Sequence, residues 1–324
     1  MAVIRGARAF IDPFVLALAA TVILASIAPA TGPWVRTVDR AGDAAVMLLF
    51  FLQGAKLSRA QIMAGAGNWR LHIAVFAVTF GLFPLFGLVM SATGLLDPII
   101  AVGILFLTLL PSTVQSSIAF TSIARGNVAA TVCSASFSNL LGIFLTPALA
   151  LLLMGRAGTI VSARQIETVL VELLIPFLAG HVARPMLASL VGRHRSLVGI
   201  VDRGSILLVV YGAFGAAVRQ GIWHLLSYRS LLTLLIACAL LLAAVLGATW
   251  ALGRLLKMAR EDRIALLFCG SKKSLVAGVP MAALLFAPTE IGPVILPLML
   301  FHQIQLVACA VIARTYASRV TAGP

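Results

Sequence analysis

Long apolar runs recur along this chain and constrain its fold more than any other feature. Of its 324 residues, 61% are hydrophobic and 10% are charged, whereas a soluble domain carries roughly 25% charged residues. A helix needs about 20 apolar residues to cross the hydrocarbon core of a membrane, and in lipid each backbone group must be paired within the protein. We therefore predict an all-α polytopic membrane protein with ten transmembrane helices. The ten runs cover residues 14–28, 44–52, 73–90, 99–110, 128–154, 169–187, 205–218, 231–256, 264–286 and 291–316.

The basic residues indicate the orientation of the chain in the membrane. The net charge is +14, but the positive residues are spread over the loops and form no patch or tail for nucleic acid. With ten spans, sixteen Lys and Arg fall on the side of both termini and six on the other. The positive-inside rule then predicts a multi-pass protein of the cell (inner) membrane with both termini cytoplasmic. The first run resembles a signal peptide, but the nine spans after it favour its retention as a helix.

Several kinds of chemistry have no sequence support. The cysteines Cys133, Cys238, Cys269 and Cys309 are isolated in apolar runs, which is typical of packing residues and not of disulfides or metal ligands. The chain has no HExxH or GxSxG motif and no paired carboxylates, so we expect no enzyme activity and no resident cofactor.

The chain is predicted to consist of two similar halves that are inverted relative to each other in the membrane. Residues 1–154 and 155–324 hold five runs each, and an odd number makes the second half enter the membrane from the opposite side. A polar stretch interrupts one run in each half, LPSTVQSS at Pro111 and GSKKS at Gly270. Paired interruptions in two inverted halves are the best sequence pointer to the site of a transporter. The alternative is two unrelated kinks.

Broken helices offer binding groups for ions and solutes. Their free carbonyls and nearby hydroxyls suit a small cation, whereas their free N–H groups and an ammonium suit an anion. Any single Ser or Thr could instead pack or bond to its own helix. The candidate residues for binding a substrate or ion are Thr113, Gln115, Ser116, Ser117, Thr131, Ser136, Asn139, Ser271, Lys272, Lys273, His302 and Gln303. The last two belong to the segment FHQIQ, which also contains Gln305.

Lys272 and Lys273 are the most unusual members of this set. A charge at membrane depth costs at least about 2.5–3.5 kcal/mol, so a lysine there needs a partner or a polar cavity unless it snorkels to the interface. Three roles remain open for a lysine at the interruption. It could balance an anionic substrate, it could couple transport to H⁺ because burial disfavours the ammonium, or it could pair with carbonyl ends and hold the segment rigid.

Residues 110–147, with the proline, the polar run and ARGN, and residues 268–282 (FCGSKKSLVAGVPMA) resemble the bile acid:sodium symporter superfamily. The similarity is greatest to its SBF-like branch, which includes the orphan seventh member of solute carrier family 10. The resemblance covers nearly the whole chain. It implies ten helices in two inverted repeats, with a panel domain of spans 1, 2, 6 and 7. It also implies a core domain of spans 3–5 and 8–10, in which spans 4 and 9 cross at their breaks.

The resemblance carries the sodium ligands of the family over only in part. A weak sodium site would use the hydroxyls of Ser116, Ser117, Thr131 and Ser136. The glutamate and glutamine that the sodium-coupled members bring from span 9 correspond here to Phe268 and Lys272, with Lys273 following. An ammonium about 4 Å from a sodium ion costs about 4 kcal/mol at an effective dielectric of 20.

We therefore expect a secondary active transporter, a symporter of the family's type. It would move a small anionic organic solute by alternating access at the two breaks, with a lysine in place of the sodium-binding acid. The alternative is a non-transporting membrane regulator of ion handling or envelope assembly that keeps the carrier fold. The expected partners are a small organic solute and membrane lipid, with Na⁺ or H⁺ as the coupling ion. The sequence leaves the substrate and the oligomeric state open.

Overall fold

The computed structural model describes residues 13–56, 67–154, 170–219 and 227–321, together with residues 167 and 221. Within these residues the regular structure is entirely helical. The predicted boundary between the halves, at residues 154 and 155, lies at the edge of the described residues. The basic start of the chain lies outside them. The helices are α1 (Pro13–Ile27), α2 (Pro33–Lys56), α3 (Trp69–Ala92), α4 (Pro98–Leu109), α5 (Val114–Ile123), α6 (Val128–Met154), α7 (Ile175–Arg193), α8 (Arg195–Arg219), α9 (Tyr228–Leu255), α10 (Arg260–Gly270), α11 (Leu275–Leu285) and α12 (Pro288–Thr321). A π-helical turn, Leu170–Leu174, directly precedes α7.

The apolar helices are those of a multi-pass membrane protein. In the described part of the chain, six segments are long and apolar enough to cross a membrane, and a seventh is the bent pair α4 and α5. The ten-helix count thus remains a prediction. Its other members fall short in length or apolarity: the described part of α1 has 15 residues, and α2 carries Arg36, Asp39, Arg40 and Asp43. The six segments are Trp69–Ala92, Val128–Met154, Ser196–Arg219, Tyr228–Leu255, Arg260–Leu285 and Pro288–Ser318.

The chain divides into two compact units. The first comprises Met1–Leu57, Val161–Ser227 and Val279–Pro293. In this unit α2 packs on α7 and α8, and α1 packs on α8. Helices α2 and α7 approach so closely that a Cβ atom at Gly54 would lie 2.0 Å from the carbonyl oxygen of Phe177. Backbone contact of this kind needs small residues, which are the usual means of packing helices in lipid.

The second unit comprises Ser58–Ile160, Tyr228–Gly278 and Val294–Pro324. Helix α10 packs on α3, α5, α6 and α9, and buried residues of α3, α6 and α10 form a common apolar cluster. The segment Arg260–Leu285 is 94% buried across its apolar window, whereas the other five spans are 33–44% buried. It is therefore enclosed by protein along its length, which is the condition under which non-helical backbone is tolerated at membrane depth.

The close contact of α2 and α7 yields a stability prediction. Gly54→Ala places a methyl group 2.0 Å from a backbone oxygen, so the helices must separate and we expect a loss of about 2 kcal/mol. The matched control is Gly42→Ala on the same helix, where a Cβ atom meets nothing within 4 Å, and there we expect no loss. Thermal unfolding in detergent measures both. Equal midpoints for the two variants would show that the contact is not tight.

Candidate functional site

The first break interrupts the polypeptide at Pro111. Helix α4 ends at Leu109 and α5 begins at Val114, and their axes differ by 65°. The local cause is the proline, which disfavours the helical conformation of the residue before it. Leu110 accordingly has extended backbone angles, φ −74° and ψ 155°. We call residues 110–113 the first break.

The second break lies between α10, which ends at Gly270, and α11, which begins at Leu275. The Ser271 hydroxyl donates back to the Leu267 carbonyl at 2.5 Å, which also accepts from the Ser271 N–H at 3.2 Å. The Ser274 hydroxyl accepts from the Ala277 N–H at 3.2 Å, as a residue that caps a helix N-terminus does. We call residues 271–274 the second break.

The two breaks are hydrogen-bonded to each other. Among the described residues, three hydroxyls in or just after the first break donate to carbonyls of the second break or of the end of α10, and one N–H of the second break donates to Pro111. The bonds are Ser112 Oγ to Cys269 O at 2.6 Å, Thr113 Oγ1 to Lys273 O at 2.8 Å, Ser117 Oγ to Phe268 O at 2.9 Å and Ser274 N to Pro111 O at 2.9 Å. Hydroxyls thus pair with carbonyls around the second break, and a backbone N–H pairs with a carbonyl of the first.

The five carbonyls of residues 108–112 all find tertiary donors in this way. Pro111 has no N–H, and the Ser112 N–H is diverted to the Ser138 hydroxyl at 3.0 Å, so the end of α4 loses its helical partners. In chain order the donors to residues 108–112 are Lys273 Nζ, Thr146 Oγ1, Lys273 Nζ, Ser274 N and Asn139 Nδ2. The side chain of Asn139, a predicted site residue, therefore braces the first break.

Lys273 places its ammonium in a cage of three carbonyls. Its Nζ donates to Thr108 O and Leu110 O at 2.7 Å and to Thr79 O at 2.8 Å, and it lies 4.1 Å from the centroid of the Phe83 ring. An ammonium has three donors, so the cage uses all of them. The side chain is fully buried and does not snorkel.

The third carbonyl of the cage is free for a local reason. Residues Val78–Leu82 form a π-helical turn inside α3, and the Phe83 N–H bonds to Val78 O. The next N–H in this pattern would belong to residue 84, which is a proline and has none. The Thr79 carbonyl is thus left for Lys273. A π-turn within an α-helix often marks a functional site.

Gln305 fixes the backbone of Lys273. Its Oε1 accepts from Lys273 N and its Nε2 donates to Lys273 O, both at 3.0 Å, and Nε2 lies 2.8 Å from His302 Nδ1. Gln303, the neighbouring candidate, is half-buried and not part of this pair. The spacing of three residues that puts His302 and Gln305 on one helix face could have identified Gln305 from the sequence.

Lys272 has the opposite environment. It is fully buried, but its Nζ has no hydrogen-bond partner among the described residues. The ammonium lies 3.8 Å from the centroid of the Phe120 ring, and the thiols of Cys269 and Cys309 are close enough to interact with it electrostatically. Of the two consecutive lysines, Lys273 therefore has an acceptor for each of its three ammonium N–H groups, and Lys272 has none in the described chain.

The remaining predicted residues have mixed surroundings. The Ser117 hydroxyl is used at the second break, and the Thr131 hydroxyl bonds to Asn127 O at 2.8 Å. Gln115 is exposed and Ser136 is half-buried. The Ser116 hydroxyl is buried without a partner in the described chain. No group of three or more His, Cys, Asp or Glu among the described residues could hold a metal ion.

Comparison with known proteins gives the family. The model of the SBF-like CPA transporter family matches residues 12–318. An uncharacterized protein of Pseudomonas aeruginosa (PA2026) is 53% identical over 95% of this chain and 93% of its own length. YfeH of Escherichia coli K12, whose name designates it a symporter, is 49% identical over 94% of this chain and 93% of its own length. The rat sodium/bile acid cotransporter 7 is 25% identical over 85% of this chain and 82% of its own.

These matches confirm the resemblance to the bile acid:sodium symporter superfamily, and they make the protein a membrane transport protein and not an enzyme. The chain belongs to the SBF-like CPA transporter family.

Proposed function

We propose that the protein is a secondary active transporter of a small organic anion, working by alternating access at the two breaks, in which the ammonium of Lys273 stands in for a coupling sodium ion. The observation that carries this proposal is the carbonyl cage. Three carbonyls at 2.7–2.8 Å from one cationic nitrogen are the ligands that a small cation takes from broken helices. Here the cation is covalently part of the chain.

A sodium ion does not fit the residues present. Phe268 stands where the resemblance places the sodium-binding acid, and its carbonyl is already bonded to Ser117. No described carboxylate has a hydrogen bond or ion pair with either lysine. A sodium ion about 4 Å from the Lys273 ammonium would be repelled by about 4 kcal/mol at an effective dielectric of 20. The two buried ammonium groups instead favour an anionic solute.

The finer architecture is part of the same proposal. We propose ten spans in two inverted halves, residues 1–154 and 155–324, with a panel and a core domain, crossing broken helices and cytoplasmic termini in the inner membrane. Support comes from the two compact units, because each draws segments from both halves. The three hydrogen bonds between the breaks, from Thr113 Oγ1, Ser274 N and Lys273 Nζ, support the crossing. Relative motion of the two units would provide alternating access.

Sodium should leave the stability of the purified protein unchanged. Because Lys273 already fills the cage, replacing 150 mM potassium with sodium should shift the thermal midpoint in detergent by less than about 1 °C, as binding linkage requires when no ion binds. Choline chloride at equal ionic strength is the control. A sodium-specific rise of several degrees would mean that a sodium site survives, formed by the hydroxyls of Ser116, Ser117, Thr131 and Ser136.

The same substitution at the two neighbouring lysines should have different effects on stability. Lys273→Met orphans three buried carbonyls, each costing about 1–3 kcal/mol, so we expect a loss of about 3 kcal/mol or more. Lys272→Met removes an ammonium that has no hydrogen-bond partner in the described chain, so we expect a change within about 1 kcal/mol. Thermal unfolding of both variants tests this. Equal losses would argue against the cage.

Transport itself is tested by solute uptake. Cells producing the protein are given a mixture of small organic acids, and mass spectrometry follows depletion from the medium. We expect at least one organic anion to be taken up faster than by cells without the protein. The double variant Ser112→Ala/Thr113→Val, which loses the bonds from the first break to Cys269 O and Lys273 O, should abolish this gain, and Gly42→Ala should retain it. No difference for any solute would contradict transport and favour the non-transporting regulator.

A further inference from the structure

We propose that a groove between α3 and α9 binds an anionic phospholipid of the surrounding membrane, with one acyl chain in the groove and the phosphate at Arg254. The groove lies within the second unit and has a volume of about 730 Å³. It is formed by α3 around residues 77–82 and by α9 over residues 248–255. None of the described residues that line it belongs to either break, so this inference does not depend on the proposed function.

The lining of the groove suits a hydrocarbon chain. Among the described residues that line it, Arg254 alone is charged, and three of the others are alanines, which leave space that larger side chains would fill. The groove lies on the outside of the helices, where Trp250 is 48% and Leu255 is 79% exposed. Exposed apolar side chains of a membrane-spanning helix contact lipid tails, which are as apolar as leucine. The occupant of the groove therefore comes from the bilayer.

Arg254 lies where α9 reaches the lipid headgroups. Helix α9 has 28 residues and is therefore about 42 Å long, which matches the thickness of about 40–45 Å of a bilayer with its headgroups. The end of α9 that carries Trp250 and Arg254 thus lies near the headgroup layer, a depth at which tryptophan is enriched. An acyl chain in the groove and a phosphate beside Arg254 then belong to one lipid molecule.

The guanidinium of Arg254 is positioned to receive a phosphate. Its Cζ lies 3.9 Å from the centroid of the Trp250 ring, and in the described part of the chain it forms no ion pair. A guanidinium stacked on a ring keeps the N–H donors at its edge, and their planar arrangement matches phosphate oxygens. Residues 254–263 carry four basic and two acidic side chains, and that of Arg263 packs against Gly253. Basic pockets between transmembrane helices bind anionic headgroups.

One wall of the groove is the π-turn of α3. Val78 and Leu82, which line the groove, are the first and last residues of that turn. Val78 also packs near the end of α10, where its Cγ1 would lie 3.4 Å from a Cβ atom at Gly270. The Thr79 carbonyl of the same turn accepts from the Lys273 ammonium. A lipid in the groove thus packs against a turn on which the second unit depends, and its binding should stabilise that unit.

The test is native mass spectrometry of the full-length protein in detergent with equal amounts of dioleoyl phosphatidylglycerol and dioleoyl phosphatidylcholine. We expect wild type to retain phosphatidylglycerol at least about fivefold more than phosphatidylcholine, since a cation near the headgroups favours the anionic lipid by about this factor. Phosphatidylglycerol should also raise the thermal midpoint, because it binds the folded state. Arg254→Gln should reduce the preference about fivefold. Arg229→Gln, which removes the same charge from the other end of α9, should keep it.

A second pair of variants tests the groove itself. Ala251→Phe fills the groove, so we expect it to lose both the retained phosphatidylglycerol and the rise in midpoint. Ala239→Phe places the same side chain at an exposed position twelve residues earlier on α9, outside the groove, and should behave as wild type. Inorganic phosphate at the same concentration should leave the midpoint unchanged, because it has no chain to occupy the groove.

Equal retention of the two lipids by wild type would overturn the inference, and so would a preference that persists in both Arg254→Gln and Ala251→Phe. A rise in midpoint with inorganic phosphate equal to that with phosphatidylglycerol would overturn the assignment of a lipid. Arg254 and Ala251 are exposed, so we expect both variants to fold, and their midpoints without lipid check this. If Ala251→Phe does not fold, the comparison of Arg254→Gln with Arg229→Gln decides alone.

Discussion

The contact on which the second unit depends is the bond from the Lys273 ammonium to three backbone carbonyls. A helix that breaks at membrane depth releases carbonyls that no water can satisfy, and each would cost several kcal/mol if left alone. Pro111 and Pro84 release such groups in α4 and α3, and the one ammonium collects carbonyls from both. Lys273, which lies in the second break, therefore satisfies carbonyls that the π-turn of α3 and the first break leave without helical partners.

Lys272 shows that two residues adjacent in the sequence can have different surroundings and different roles. The second break is not helical, so Lys272 and Lys273 reach different surroundings, one an aromatic ring and the other a carbonyl cage. Gln305 fixes the backbone at this point, because its side chain bonds to both the N–H and the carbonyl of Lys273. The Lys273 ammonium is thereby used to hold the structure together, whereas the Lys272 ammonium has no hydrogen-bond partner in the described chain.

The sequence predicted the features that have a chemical signature. Both interruptions could be located, since Pro111 and the polar runs are visible in the residues themselves, and the motifs around them identified the family. The carbonyls of Thr79, Thr108 and Leu110 could not be predicted, because a backbone acceptor leaves no mark on the residue type. Gln305, and not Gln303, contacts Lys273, because residues two apart point to nearly opposite sides of a helix. The count of ten spans stays a prediction for a different reason: the charged residues of the helix Pro33–Lys56 lower its apolarity.

On the proposed function, a tethered ammonium takes the place of a coupling ion at the two breaks, and this changes what drives solute binding. A carboxylate site must recruit a cation from solution before its charge is balanced, and that recruitment is what ties solute movement to an ion gradient. A tethered ammonium is present in every state of the cycle, so the cage formed by Thr79, Thr108 and Leu110 needs no ion from outside. On the proposed function, the energy of the sodium gradient is then not available to this protein through that site.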